Sequence, residues 1–277
     1  MKCLERAISY YENDGPLKSD DYIAPVILPS FFRGLGKLRL LGPAYRLLAL
    51  TGIYEYVVVR TKYIDSAFKE NLNKVEQVLV FGAGFDSREI RFKNEAKRTR
   101  FFELDSPATQ GAKIQRFKEK KIEVPSNVVF IPIDFDRDSL SQKLGEYGFK
   151  KNKVCLFLLE GVTMYLDPAS IDVTFKLISE YAAPGSIVIF DYIYASVVRR
   201  ENLYEGEKKV YDSVLKAGEK WTFGIEKGEI NAFLSKFGLT LANEATASDL
   251  EKMYLTGRNG KLAGRVTGTH ALVTAKK

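Results

Sequence analysis

The chain reads as an α/β protein: a doubly wound, mostly parallel sheet with an antiparallel pair at its C-terminal edge, plus a helical cap. Three observations predict it. QVLVFGAGFDSRE at 77–89 joins an apolar run, too short for a helix, directly to a glycine turn. About twenty residues on, Arg100-Phe101-Phe102-Glu103-Leu104-Asp105 repeats the design, a short apolar run ending in acid. Further apolar runs then alternate with helical stretches, which is the signature of a parallel sheet with crossover helices.

Taken in order, residues 1–75 read as helical and irregular, a cap or lid ahead of the sheet domain at 76–277. Within them YIAPVILPSFF at 22–32 carries two prolines in an apolar run, so it is expected to pack extended rather than as a helix interior. A helix is expected from Gly52 to Asn71, where Ile53, Val57, Arg60, Ile64, Ala67 and Phe68 recur at helical spacing with Tyr56 beside them. Arg60 thus falls in an apolar stripe and needs an anionic partner. Asp65 or Asp86 could supply it, and so could the carboxylate of a bound ligand; the residues leave the two open.

The expected strands are Gln77–Phe81, Arg100–Asp105, Val128–Ile133, Val154–Leu159 and Ile187–Phe190. Pro132 assigns the third an exposed or terminal place. Helices are expected over Pro107–Lys121, with Ile114 and Phe117 inward, and from Pro168 to Tyr181 behind an Asp167 cap. Tyr192–Phe223 is too long and aromatic for a plain connection, which predicts an inserted cap at about 192–225. A helix near Lys227–Phe237 and strands at Gly238–Glu244 and Thr269–Ala275, antiparallel at the sheet edge, finish the chain.

The strands end in Gly82, Asp105, Asp134, Glu160 and Asp191. Ligands of open α/β sheets bind along that edge. Gly82-Ala83-Gly84 lets a ligand lie against the backbone, and Asp105 sits where nucleotide-binding folds hold a ribose. The pair points to an adenosyl cofactor. The third glycine of the dinucleotide fingerprint is missing, so S-adenosylmethionine fits better than NAD. Four acids in a row suit a ribose, an adenine amino group and a cationic amino-acid head.

Composition narrows the class. The 277 residues are 45% hydrophobic and 28% charged, as in ordinary globular proteins. Their net charge of +7 is spread over small, acid-interleaved clusters without stacking aromatics, so a solvated basic surface is expected rather than a nucleic-acid site. Charges and Gly42-Pro43 interrupt the apolar stretch Leu38–Val59, which excludes a membrane span, and the first residues lack a signal-peptide core. Cys3 and Cys155, far apart, imply neither disulfide nor metal knuckle, and a reducing cytoplasm is the expected home. With His270 the one histidine, no Ser-His-Asp set and no zinc site can be assembled. His270 is expected to be structural, on a last strand away from the site, and Asp86 with Arg88 to be a local ion pair fixing the glycine turn.

The motifs together resemble the leucine carboxyl methyltransferase family of S-adenosylmethionine-dependent methyltransferases. Within it they resemble the small-molecule branch that includes the tetracenomycin-pathway carboxyl O-methyltransferase. The resemblance rests on Arg60-Thr61 with Ile64-Asp65, GAGFDSR at 82–88, ELDSP at 103–107, Ile133-Asp134-Phe135 and EGVTMYL at 160–166. It implies a seven-stranded Rossmann-like methyltransferase sheet. It further implies Arg60 on the methionyl carboxylate, Gly82 and Gly84 against the methionyl part, and Asp105 on the ribose. Asp134 with Phe135 would meet adenine, Glu160 the methionyl amine, and Tyr165 would stand between cofactor and substrate. Trp221 is a substrate contact or core packing. The expected reaction is O-methylation of a small acidic, polyketide-like molecule at a carboxylate, with no catalytic base and no metal. A protein C-terminal carboxyl methyltransferase and a non-catalytic nucleotide- or RNA-binding module are the alternatives.

Overall fold

The computed structural model describes residues 2–13, 15–28, 45, 52–135 and 137–277. The end of the proline-rich run at 22–32 and most of the stretch from 38 to 51 lie outside the described residues. Seven strands form one sheet in the order β3-β2-β1-β4-β5-β7-β6. They are β1 (Gln77–Phe81), β2 (Arg100–Asp105), β3 (Val128–Pro132), β4 (Cys155–Leu159), β5 (Ile187–Ile193), β6 (Thr240–Ala245) and β7 (His270–Lys276). The first five run parallel, while β7 lies antiparallel between β5 and β6. Among the described residues no helix is long and apolar enough to cross a membrane.

Both faces of the central strands are covered. Leu79, Phe81, Phe157 and Leu159 point into one core, Val78, Val80, Leu156 and Leu158 into the other. This two-residue alternation with apolar partners on each side explains why the strands read as continuous apolar runs. Pro132 ends β3 at the sheet edge, where no neighbouring strand needs its missing N–H.

On one face lie α1 (Lys2–Tyr11), α2 (Ala24–Ile27) and α3 (Ile53–Asn71). Helix α3 buries Tyr54, Val58 and Phe68 as well as Arg60 and Asp65, so it is enclosed on nearly every side. The short α4 (Arg88–Arg91) and α5 (Pro107–Glu119) flank it, and α5 starts on a Ser106 cap. The other face carries α6 (Leu140–Glu146), α7 (Pro168–Tyr181) and α10 (Ile230–Ser235). Asp167 caps α7 as expected, accepting from the Ala169 and Ser170 amides at 2.9 and 3.0 Å. The inserted cap consists of α8 (Ala195–Val198), α9 (Glu207–Lys216) and the segment Trp221–Phe223, hung by the Thr222 amide on the Met164 carbonyl at 2.8 Å.

Two expectations are corrected. Residues 24–27 form a helical turn rather than extended chain, because Pro25 stands in the first turn, where no intrahelical donor is needed. Strand β5 runs on past Asp191 to Ile193, because β7 pairs with all seven of its residues. Asp191 therefore lies inside a strand and is fully buried.

Gly52 ties the cap of α3 to the approach of β7. Its φ is +75°, its carbonyl accepts from the Thr267 amide at 3.1 Å, and a Cβ there would collide with that same amide nitrogen. Gly52→Ala combines a disfavoured backbone with a clash that only backbone movement relieves, so it should destabilise by ~1–3 kcal/mol or more. Urea unfolding should show a lower midpoint at unchanged slope; an unchanged midpoint would refute this account of the junction.

Candidate active site

A cavity of about 900 Å³ opens at the carboxyl edge of the parallel strands. Its floor is the turn after β1. Gly82 and Gly84 both hold positive φ, +57° and +53°. A Cβ on Gly82 would come within 2.9 Å of Val162, so only glycine lets the two loops approach. The Ala83 amide donates to the Leu104 carbonyl at 3.0 Å and the Gly84 amide to the Asp105 carboxylate at 2.5 Å. These bonds lock the first turn to the end of β2.

Beneath the turn lies a buried ionic network. Arg88 places Nε 2.8 Å from Asp65 and Nη1 2.5 Å from Asp86 and 2.7 Å from Glu160. The expected Asp86–Arg88 pair is therefore present, and Asp86 also accepts from the Ser87 and Arg88 amides. Arg91 grips Asp65 with two nitrogens, at 2.6 and 2.9 Å. From α1, Arg6 meets Asp21 at 3.0 Å and donates to the Phe85 carbonyl.

Arg60 lines the cavity but is paired with neither Asp65 nor Asp86. Its Nη1 lies 2.7 Å from Asp191 and its Nε 3.0 Å from Glu160, the latter without hydrogen-bond geometry. Helical spacing identified the arginine but could not foresee partners just after β4 and within β5. Tyr56, one turn earlier, donates to the same Asp191 oxygen at 2.8 Å, while the Gly161 amide holds the other at 2.5 Å. Burial would raise the Glu160 pKa, but Arg88, Arg60 and Arg6 outweigh it and hold the group far below the usual carboxylate range.

The cavity brings together Arg60, Gly82, Gly84, Glu160, Tyr165 and Trp221. Asp105 adjoins it through Gly84. Asp134 and Phe135 follow β3 outside its lining, and Phe135 is 46% exposed. Ile53, Met164, Val210 and Val214 give the cavity an apolar wall, with Ser213 and Glu219 of the cap also in the lining. Tyr165 stands there, its pKa pushed up to about 12 by burial and by Glu219 against the effect of the nearby Trp221 indole.

His270 requires a correction. It is not remote but forms part of the cavity wall, its ring 4.4 Å from that of Tyr56 and 5.6 Å from that of Trp221. Its Nδ1 and the Thr269 hydroxyl are 2.7 Å apart, and Thr267 continues that chain at 2.9 Å. The physical reason is topological. Because β7 is antiparallel, its first residue lies beside Ile193, at the end of β5.

These residues fit S-adenosylmethionine. A glycine cradle without room for a side chain admits a ligand against the backbone. Arg60 offers a buried Nε without a hydrogen-bond acceptor, and Glu160 is held ionised at the cavity edge. Among the described residues no group of three or more His, Cys, Asp or Glu side chains could hold a metal ion.

The network makes folding acid-sensitive. Glu160, Asp21 and Asp86 all have folded-state pKa values lowered by arginines in spite of burial. The unfolded chain thus takes up protons first, so their stabilisation is complete above the ordinary carboxylate range and fades below about pH 5. Glu103, buried beside Glu89, is raised and acts in the opposite sense, losing its contribution as pH rises. Three lowered groups against one should give a urea midpoint that falls steadily from pH 6 to pH 3.5; a flat profile would contradict the ion-pair account.

Comparison with known proteins identifies the family and the fold. A family model for leucine carboxyl methyltransferase matches residues 1–179. The provisionally assigned S-adenosyl-L-methionine-dependent methyltransferase YktD of Bacillus subtilis (strain 168) is 24% identical over 221 residues, 79% of this chain and 72% of its own. A provisionally assigned S-adenosyl-L-methionine-dependent methyltransferase of Mycobacteroides abscessus is 29% identical over 211 residues, 72% and 67% of the two chains. Among solved structures, a provisionally assigned methyltransferase from Thermobifida fusca YX aligns with 100% of this chain and 94% of its own, at TM-score 0.62 and 13% identity. Magnesium protoporphyrin IX methyltransferase (ChlM) from Synechocystis PCC 6803 with bound SAH aligns over 90% and 99%, at TM-score 0.50 and 13% identity. At such identities the structural likeness bears on the fold alone. The chain belongs to the leucine carboxyl methyltransferase family and is an S-adenosylmethionine-dependent methyltransferase.

Proposed function

We propose that the protein methylates an oxygen, a carboxylate, of a small acidic, polyketide-like molecule. The observation that supports this reading is the division of one cavity into an ion-paired glycine end and an apolar aromatic end. The first suits the cofactor's methionyl head, with Arg60 on its carboxylate, Glu160 on its amine, and Gly82 and Gly84 beneath. Asp105 would hold the ribose, with Asp134 and Phe135 towards adenine. The second suits a flat, largely apolar acceptor placed by Tyr165 and Trp221.

When bound, S-adenosylmethionine supplies a sulfonium methyl group, and the acceptor oxygen's lone pair forms the new O–C bond as the S–C pair returns to sulfur. The chain's task is alignment and exclusion of water, which can supply ~7–11 kcal/mol in well-oriented cases. A carboxylic acid, with a pKa of about 4, is ionised at neutral pH and has no proton to lose.

His270 on the wall favours a second reading, because a hydroxyl acceptor needs a group to take its proton. The two readings differ in product and in pH dependence. Turnover of a panel of small aromatic acids and phenols with methyl-labelled cofactor identifies an acceptor. For a carboxylate, the product releases methanol in mild alkali and the rate is level between about pH 6 and 8, with His270→Gln changing neither. For a hydroxyl, the product survives alkali and His270→Gln lowers kcat by ~10²–10⁴. An alkali-stable product would overturn the carboxylate.

Arg60→Lys tests the cofactor end. Lysine cannot reproduce the two-pronged grip of guanidinium on carboxylate. S-adenosylmethionine affinity should fall by ~1.5–3 kcal/mol, about 10- to 150-fold by calorimetry. Earlier melting with full affinity in the folded fraction would reduce Arg60 to an ion pair with Asp191 and Glu160.

A further inference from the structure

Asp191 is 1% exposed and lies behind the cavity lining, inside β5. Leu159 is registered with Phe190, so Glu160 leaves the sheet beside Asp191. From this place one carboxylate holds both groups assigned to the methionyl head. Its Oδ2 accepts from Arg60 Nη1 at 2.7 Å and from the Tyr56 hydroxyl at 2.8 Å. Its Oδ1 accepts from the Gly161 amide at 2.5 Å, and its backbone carbonyl from the Thr163 hydroxyl, also at 2.5 Å. The last two bonds fasten the loop that carries Glu160, at a glycine whose φ is +65°. Arg60 is fixed at two of its nitrogens, with Nη1 on Asp191 and Nε beside Glu160.

We propose that Asp191 is a positioning residue for cofactor binding. Without touching the cofactor, it fixes Arg60 and Glu160 relative to each other so that they meet the carboxylate and the ammonium of the amino-acid head together. This rests on the assignment of Arg60 and Glu160 to that head, and deepens it. Asp191 accepts on both carboxylate oxygens, whereas asparagine has one acceptor. Whichever way the amide of Asp191→Asn turns, its NH₂ meets either the Gly161 amide or Arg60 and Tyr56. Arg60 then keeps Glu160 alone, which Arg88 already shares, and both partners of the head lose their placement. The ribose and adenine positions at Asp105, Asp134 and Phe135 depend on none of these bonds.

Calorimetry with two ligands tests this. S-adenosylhomocysteine (SAH) has the amino-acid head; 5′-methylthioadenosine keeps the adenosine and the thioether and lacks it. The wild-type protein should prefer SAH by ~10-fold or more, because the head makes charge-assisted contacts. Asp191→Asn should lose most of that preference, with SAH affinity falling ~10-fold or more while 5′-methylthioadenosine binds as before. A role in the fold alone would instead lower both affinities together. Tyr56→Phe removes one donor to Asp191 and keeps its charge, so the preference should narrow by roughly 2- to 10-fold. That variant keeps the test open if Asp191→Asn does not fold. An unchanged preference in folded Asp191→Asn or in Tyr56→Phe, or an equal loss of both ligands, would overturn the proposal. A preference that Arg60→Lys abolishes and Asp191→Asn retains overturns this inference alone. A wild-type protein that binds the two ligands equally overturns the head-group assignment with it.

Discussion

The cofactor end of the cavity depends on charges that cannot be separated. Arg60 and Arg88 share Glu160, and through Asp191, Asp86 and Asp65 they tie α3 to the ends of β1 and β4 and to the interior of β5. Buried pairs of this kind contribute little net stability, since desolvation consumes most of the Coulombic gain. Removing one partner is another matter, costing about 3–5 kcal/mol because the survivor remains buried and uncompensated. The network therefore acts as a constraint on geometry more than as a source of stability. It fixes where a guanidinium and a carboxylate face the glycine turn, and no member can drift without stranding another.

Its composition also suits its ligand. Arg6, Arg60, Arg88 and Arg91 face five carboxylates, Asp21, Asp65, Asp86, Glu160 and Asp191. That set is one negative charge in excess. S-adenosylmethionine carries a sulfonium, an ammonium and a carboxylate, one positive charge in excess. Deeper on the same side, Lys113 lies between Glu89 and Glu103 at 3.1 and 2.6 Å, all three buried. Burial and the neighbouring Glu89 keep Glu103 protonated well above its ordinary range, so this cluster too approaches neutrality by sharing a proton rather than by opening to water.

Much of this half was legible in the sequence because its signals are local. A strand, a glycine turn and an acid lie within a few residues, and the central strands, buried on both faces, read as short unbroken apolar runs. Asp86 with Arg88 needed only a separation of two positions. The partner of Arg60 was not legible, because Asp191 lies 131 residues away and is chosen by sheet order, not by spacing. Lys113 was hidden for a similar reason: a lysine in an amphipathic helix reads as solvated until two buried acids are found beside it. His270 was the recoverable miss. An antiparallel last strand was expected, and such a strand begins where its parallel neighbours end. Its first residue must fall at the ligand edge, whatever its type.

The same topological fact separates the two halves of the site. Residues 1–179, which the family model matches, supply the glycine turn, Arg60 and Glu160. Of the walls that would meet the acceptor, Ile53, Met164 and Tyr165 come from within that match, and Val210, Val214, Trp221 and His270 from beyond it. The end lined by the glycine turn is held by ion pairs that tolerate little displacement. The acceptor end is built from a cap inserted after β5 and from the head of β7, joined to the network chiefly through Tyr56, which touches Asp191 on one side and the His270 ring on the other. The cavity-facing Val210, Val214 and Trp221 of that cap can change size and polarity without removing a member of the buried ion pairs. A scaffold so divided can keep one methyl donor while its acceptor changes, which is why the acceptor has to be sought in Trp221 and His270 rather than in the motifs that identify the family.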